Sequence, residues 1–292
     1  MFLRLTVAFV FCASTLGPAV AQTSLHVGAA YVTRSGNGPH AVILIPGLAS
    51  GAYVWEGISP SLAARYTVYA ITFAGFDGEP PVQPPYFDAF TKSIEDLIEQ
   101  EHLAKPILIG HSLGGALALR VAEEQPDRIG GALIVDSLPI FPPPQPGETP
   151  EQRKAQATSF RDSFLSTTPD QFADTVRRFV SYLVTDPKNV DLITSRYLRS
   201  DRATYAGAAY ELVLSDLRPD LGKITAPIGV LVPADTEANA PQTVTLYTQL
   251  YAGTAHLTVT PIFPSKHFIM YDQPQQFANA VNAFLASVYA PR

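Results

Sequence analysis

The stretch that most constrains what this 292-residue chain can fold into is Pro106-Ile107-Leu108-Ile109-Gly110-His111-Ser112-Leu113-Gly114-Gly115-Ala116. An apolar run of strand length, Ile107 to Ile109, meets a glycine-serine-glycine turn, and Ala116 to Val121 continue at helical propensity. The pattern predicts a strand, a sharp elbow and a helix. A serine at the tip of so tight a turn sits in a strained backbone conformation, and Gly110 and Gly114 lack the Cβ atoms that would hold strand and helix apart. Ser112 is thereby held over the edge of a sheet. The helix beginning at Leu113 aims its N-terminal amides at any negative oxygen that forms beside the serine.

The rest of the chain supplies a sheet for that elbow. Ala29 to Thr33 reads as a short edge strand, and His40 to Ile45 is a continuous apolar run ending at Pro46-Gly47, the signature of a strand buried on both faces. Trp55 to Arg65 reads as helical, Thr67 to Phe73 as the next strand, and Phe87 to His102 as a helix with Ile94, Leu97 and Ile98 on one face. Gly130 to Asp136 is a further buried strand. Strands alternating with helices imply a parallel α/β sheet with helices on both faces and a site at the strands' carboxyl ends.

After Ser137 the texture changes. Six prolines between Pro139 and Pro150 break the pattern, and Glu151 to Asp220 reads as helical without strands. Phe172, Val176, Phe179, Val180 and Leu183 fall on one apolar face, and Tyr205, Ala209, Leu212 and Val213 on another. These helices form either an inserted cap or a cover over one sheet face. Sheet texture resumes at Pro227 to Asp235, followed by a helix from Thr243 to Tyr251, a last strand from His256 to Thr260, and a terminal helix from Pro274 to Tyr289. The expected organisation is a signal segment over 1–21, a core over 22–138 and 224–292, and a helical cap over 139–223.

The signal segment rests on Arg4, the apolar run Leu5 to Leu16, and the small-x-small sequence Ala19-Val20-Ala21, with cleavage expected before Gln22. The run is short for a membrane span, so no stable membrane anchor is expected, and the chain is read as secreted or periplasmic. The only cysteine, Cys12, lies inside this segment, which leaves the mature chain without disulfide, thiol nucleophile or cysteine metal site. Loss of Arg4 leaves 19 basic residues against 26 acidic ones, a balance that argues against a nucleic-acid partner. There is no HExxH pattern, and Gly110 to Gly115 lacks both the lysine of a phosphate loop and the spacing of a dinucleotide fingerprint. No metal or cofactor is expected.

Gly110-His111-Ser112-Leu113-Gly114-Gly115 resembles the nucleophile elbow of the α/β-hydrolase superfamily. That resemblance implies a mostly parallel sheet flanked by helices and a serine–acid–histidine triad in that chain order. Ser112, Asp235 and His267 satisfy the order, each at or just beyond a predicted strand end, and His267-Phe268 followed by Asp272-Gln273-Pro274 resembles the family's histidine loop. The acid stays open among Asp235, Glu237, which has the family's usual spacing ahead of Pro241, and Asp136, because some members take their acid from that strand. By the same resemblance the Leu113 amide and that of Leu48, in the turn Pro46-Gly47-Leu48-Ala49, form the oxyanion hole. Relatives commonly carry a histidine where this chain has Pro46. His111 is read as packing around the elbow. The implied activity is hydrolysis of a small carboxylic ester through an acyl-enzyme, with an aminopeptidase and a lactonase or acyltransferase as alternatives using the same triad, and a non-catalytic binding protein as a further one.

Overall fold

A computed structural model describes residues 22–289. The expected signal segment therefore lies outside the described residues. Strands β1 (Gln22–Val27) and β2 (Ala30–Ser35) form a hairpin, followed by β3 (Ala41–Ile45), α1 (Ser59–Ala63), β4 (Thr67–Phe73), α2 (Tyr86–Gln100), β5 (Ile107–His111), α3 (Leu113–Glu124) and β6 (Gly131–Val135). Four helices come next: α4 (Pro150–Ser166), α5 (Pro169–Leu183), α6 (Pro187–Tyr197) and α7 (Arg202–Leu214). The chain returns to β7 (Ile228–Pro233), α8 (Ala240–Leu250), β8 (Leu257–Ile262), α9 (Ile269–Asp272) and α10 (Pro274–Tyr289).

The eight strands form one sheet in the order β1-β2-β4-β3-β5-β6-β7-β8. The two pairings that involve β2 are antiparallel, and those from β4 to β8 are parallel. Each residue of β3, β5 and β6 is buried, because helices cover both faces and a parallel sheet has no wet side. Helices α2, α3 and α8 pack on one face and α1 and α10 on the other, giving two hydrophobic layers. Register then aligns the strand ends: Ile45 sits opposite Gly110, His111 opposite Val135, and Val135 opposite Leu231. The loops after β3, β5, β6 and β7 consequently emerge along one edge.

Two local expectations differ from the structure. The sequence pattern predicts no strand at β1, since its exposed, polar start carries no apolar run. Trp55 to Arg65 is not one helix: a 3-10 turn covers Ala52–Trp55 and α1 starts only at Ser59, with Gly57 and Pro60 interrupting the ladder.

The helices α4 to α7 lie between β6 and β7. Each begins at a polar N-cap, Thr149, Thr168, Asp186 and Asp201, and the two threonines form capping boxes with Gln152 and Gln171. Their two stems are tied together where Ile140 bridges Asp216 and the Leu217 amide donates to the Pro139 carbonyl at 2.8 Å. Arg153 knots the same region, donating to the Val213 and Pro142 carbonyls and to Glu148 at 3.2, 3.0 and 2.7 Å. At the other end the Asp201 amide donates to Gly75, and Arg196 and Arg199 approach Asp77 at 3.4 and 3.3 Å. The helical unit is thus fixed to the sheet at both ends.

Candidate active site

The elbow has the geometry that its sequence requires. Ser112 has φ 53° and ψ −121°, a conformation that costs a non-glycine residue roughly 1–3 kcal/mol. The strain is held by close packing: a Cβ on Gly110 would lie 2.2 Å from the Gly114 carbonyl oxygen, and one on Gly114 would lie 2.3 Å from that of Ile45. Helix α3 starts at the next residue, so the Leu113 amide stands at a helix N-terminus.

The loop after β3 approaches just as closely. A Cβ on Gly47 would meet Ser112 Cβ at 3.1 Å, and Leu48 lines the same cavity as Ser112. Ala49 has φ 55°, and the turn is closed by the Ser50 amide donating to Gly47 at 3.1 Å. In place of a histidine before Gly47, the loop is steadied from the cap: Ser200 Oγ donates to the Ala49 carbonyl at 3.3 Å and accepts from the Asp77 amide at 3.1 Å.

Of the three candidate carboxylates, the structure brings Asp136 to His267 and leaves Asp235 and Glu237 apart from it. His267 Nδ1 lies 2.5 Å from Asp136 Oδ2, whereas Asp235 and Glu237 are both exposed on the loop after β7. Asp136 is the first residue after β6, and its φ of 44° turns the carboxylate inward from the strand end. Its side chain is only 11% exposed. The phenol of Tyr247 on α8 donates to the other oxygen, Oδ1, and Tyr251, one turn later, donates to the Ser137 carbonyl at 2.8 Å. Burial raises the Tyr247 phenol pKa, and the Asp136 charge raises it further, so this donor stays protonated. Nothing in the sequence singles out either phenol. Their i, i+4 spacing on one helix face was visible, but no partner was.

His111 does more than pack. It is fully buried, and its Nε2 lies 3.1 Å from the His267 carbonyl oxygen, so the neutral ring donates that hydrogen bond. Burial first, and the neighbouring His267 second, hold its pKa well below the ordinary 6.5. The Asp272 carboxylate closes the histidine loop by accepting from the Lys266 and Thr185 amides, each at 2.8 Å.

Ser112, Asp136 and His267 open into one cavity of about 470 Å³ roofed by the cap. Its size falls within the usual range for small-molecule sites. Of the cap aromatics, Phe160, Phe179, Tyr197 and Tyr205 reach the cavity, while Phe164 and Phe172 pack against Tyr205 behind it and Tyr182 is exposed. Among the described residues, no group of three or more His, Cys, Asp or Glu side chains could hold a metal ion. No described helix is long and apolar enough to cross a membrane.

A family model described as the alpha/beta hydrolase family matches residues 42–280. The pimeloyl-[acyl-carrier protein] methyl ester esterase of Nitrosomonas europaea is 23% identical over 264 residues, covering 87% of this chain and 98% of that protein. Among solved structures, an esterase from Exiguobacterium antarcticum has a TM-score of 0.75 at 16% identity, covering 89% of this chain and 98% of that one. The enol-lactonase from Burkholderia xenovorans LB400 has a TM-score of 0.72 at 18% identity, covering 90% and 100%.

Proposed function

Since this chain belongs to the alpha/beta hydrolase family and is a carboxylic ester hydrolase, we propose that it cleaves small esters through an acyl-enzyme formed on Ser112, with His267 as the base and Asp136 as the acid. The observation that carries this reading is the pairing of His267 Nδ1 with Asp136 in the cavity that Ser112 lines. With Nδ1 so engaged, Nε2 is the ring nitrogen left for the serine proton. Ser112 Oγ attacks the ester carbonyl carbon as its proton passes to His267 Nε2. The negative carbonyl oxygen is held by the Leu113 and Leu48 amides, each such donor contributing on the order of 3 kcal/mol in the transition state. The tetrahedral species collapses as His267 returns the proton to the departing alkoxide, leaving Ser112 acylated. Water then repeats the sequence, releasing the carboxylic acid and restoring Ser112. Asp136 fixes the tautomer and orientation of His267 throughout. In this proposal the mature chain begins at Gln22 and works outside the cytoplasm.

The test is hydrolysis of p-nitrophenyl esters by wild type and by Ser112→Ala. A loss of about a thousandfold or more supports the reading; equal rates would remove Ser112 as nucleophile. Export is tested separately, by N-terminal sequencing of the protein recovered from periplasm and medium.

A further inference from the structure

The cavity over Ser112 is distinguished by the charges absent from its walls. Asp136 and His267 are the only ionisable acid–base pair among its lining residues, and they are bound to each other. Among the described residues, no lysine or arginine lines it. Five of the cap's arginines are committed elsewhere. Arg153 serves Glu148 and two carbonyls, Arg177 pairs with Asp191, and Arg202 donates to the Phe164 and Thr167 carbonyls. Arg196 and Arg199 both face Asp77. The walls themselves are apolar: Leu138, Ala157, Phe179, Leu183 and Leu212 face the space above the serine. Phe141 and Phe160, 51% and 39% exposed, carry the same apolar surface outward to the mouth.

An anionic acyl group would therefore leave water for a site that offers it no counter-ion and already holds one carboxylate. Burying an unpaired carboxylate is strongly unfavourable. An alkyl chain meets the opposite situation, since it removes apolar walls and its own methylenes from water together. The acyl group also stays tethered to Ser112 after the alcohol has left, so the roofed part of the cavity suits the portion that remains and the open mouth the portion that departs.

We infer, building on the serine-esterase reading above, that the acyl subsite takes an uncharged apolar chain longer than butyryl and rejects acyl groups ending in a carboxylate. Each added methylene should raise kcat/KM by about fourfold, from roughly 0.8 kcal/mol per buried CH₂, until the chain meets the far wall.

The experiment uses wild-type protein and p-nitrophenyl esters from acetyl to dodecanoyl, together with the mono-p-nitrophenyl ester of the eight-carbon dicarboxylic acid. The inference expects kcat/KM to climb to a maximum at hexanoyl or beyond. It also expects the carboxylate-ended ester to be poorer than octanoyl by about a hundredfold or more. Gln156, an exposed residue on α4 that lines the cavity, supplies a gain-of-function arm. Gln156→Arg places a cation in the wall and should raise the relative rate on the carboxylate-ended ester by about tenfold. A maximum at butyryl or any shorter chain, or equal rates for the charged and uncharged eight-carbon esters, overturns this inference and leaves the esterase reading standing. A rise when the alcohol rather than the acyl chain is lengthened, as in hexyl against methyl acetate, overturns it too. No turnover of any ester overturns both.

Discussion

Two neighbouring strand ends carry an aspartate in nearly the same place, and the molecule treats them in opposite ways. Asp136 directly follows β6, and Asp235 follows β7 by one residue beyond Pro233. Both lie at the carboxyl edge, and β6 and β7 are hydrogen-bonded to each other. Yet Asp136 takes a left-handed backbone turn, is largely buried, and is gripped by Tyr247 and His267. Asp235 instead heads an exposed run of five residues, Asp235 to Asn239, whose polar contacts are local, such as the Thr236–Asn239 pair that leads into α8. Surroundings decide which carboxylate meets His267, and here they were built one strand earlier. The helix that follows the β7 loop still contributes, since it brings the Tyr247 hydroxyl to Asp136.

The sharpest way to break this comparison is to neutralise Asp136. Asp136→Asn keeps the size but turns an acceptor toward His267 into a group that can donate, which favours the wrong tautomer. We expect kcat to fall by about ten-thousandfold on the best p-nitrophenyl ester, as the corresponding change does in serine triads. Retention of more than a tenth of the activity would show that another acid orients His267.

Tyr247→Phe comes next in size. It removes one charge-assisted hydrogen bond, worth roughly 1.5–3 kcal/mol, and leaves the second oxygen of Asp136 without that donor. Expressed partly at the transition state, this predicts a loss of about tenfold in kcat, with KM changed less because the ring still fills its place in the cavity wall. Steady-state kinetics separates the two. A change confined to KM would make Tyr247 a wall residue only.

His111→Phe tests the support of the histidine loop from the side of the elbow, with a signature in pH. Burial depresses the His111 pKa below 6.5, so the unfolded chain binds a proton that the folded chain refuses. Its contribution to stability is therefore intact above about pH 6.5 and is lost as pH falls from there toward the lowered folded-state value, at up to about 1.4 kcal/mol per pH unit. The variant should lose about 1 kcal/mol at pH 7.5, where the hydrogen bond to the His267 carbonyl is gone. It should also show a shallower decline between pH 6.5 and 5. Urea midpoints at three pH values measure both, and parallel declines for the two proteins would assign the acid sensitivity to other groups.

Much of this arrangement was legible in the chain itself, and the parts that were not share a cause. The elbow announces itself because Gly110, Ser112 and Gly114 are adjacent in sequence and each answers a local steric demand. The buried strands are legible because a parallel sheet covered on both faces demands unbroken apolar runs such as Ala41 to Ile45. The carboxylate that meets His267 stays open in the sequence because its selection is not local. It depends on the φ of a single residue, on a phenol 111 residues away, and on an imidazole 131 residues away. Similarly, what steadies the loop after Pro46 is not local, since the cap's Ser200 reaches Ala49 from 151 residues away. Pattern fixes what an element must be; partners across the fold decide which of two similar side chains is used.

The smallest expected effect closes the comparison from the other side. Asp235→Asn changes an exposed side chain on a loop whose contacts are local, and surface substitutions away from special features usually fall within ±0.5 kcal/mol. Stability should stay inside that range and kcat/KM within about twofold of wild type. The informative version is the double variant. If Asp235 holds a latent share of the orienting role, Asp136→Asn would retain activity that Asp235→Asn then removes, and the two effects would couple. If the role belongs to Asp136 alone, the double variant should match Asp136→Asn within about 0.5 kcal/mol of transition-state free energy, the additivity expected of independent sites. Coupling beyond that margin would mean that the β7 loop folds inward when the acid on β6 is lost. The exposed Asp235 would then be a second state of the same site rather than a bystander.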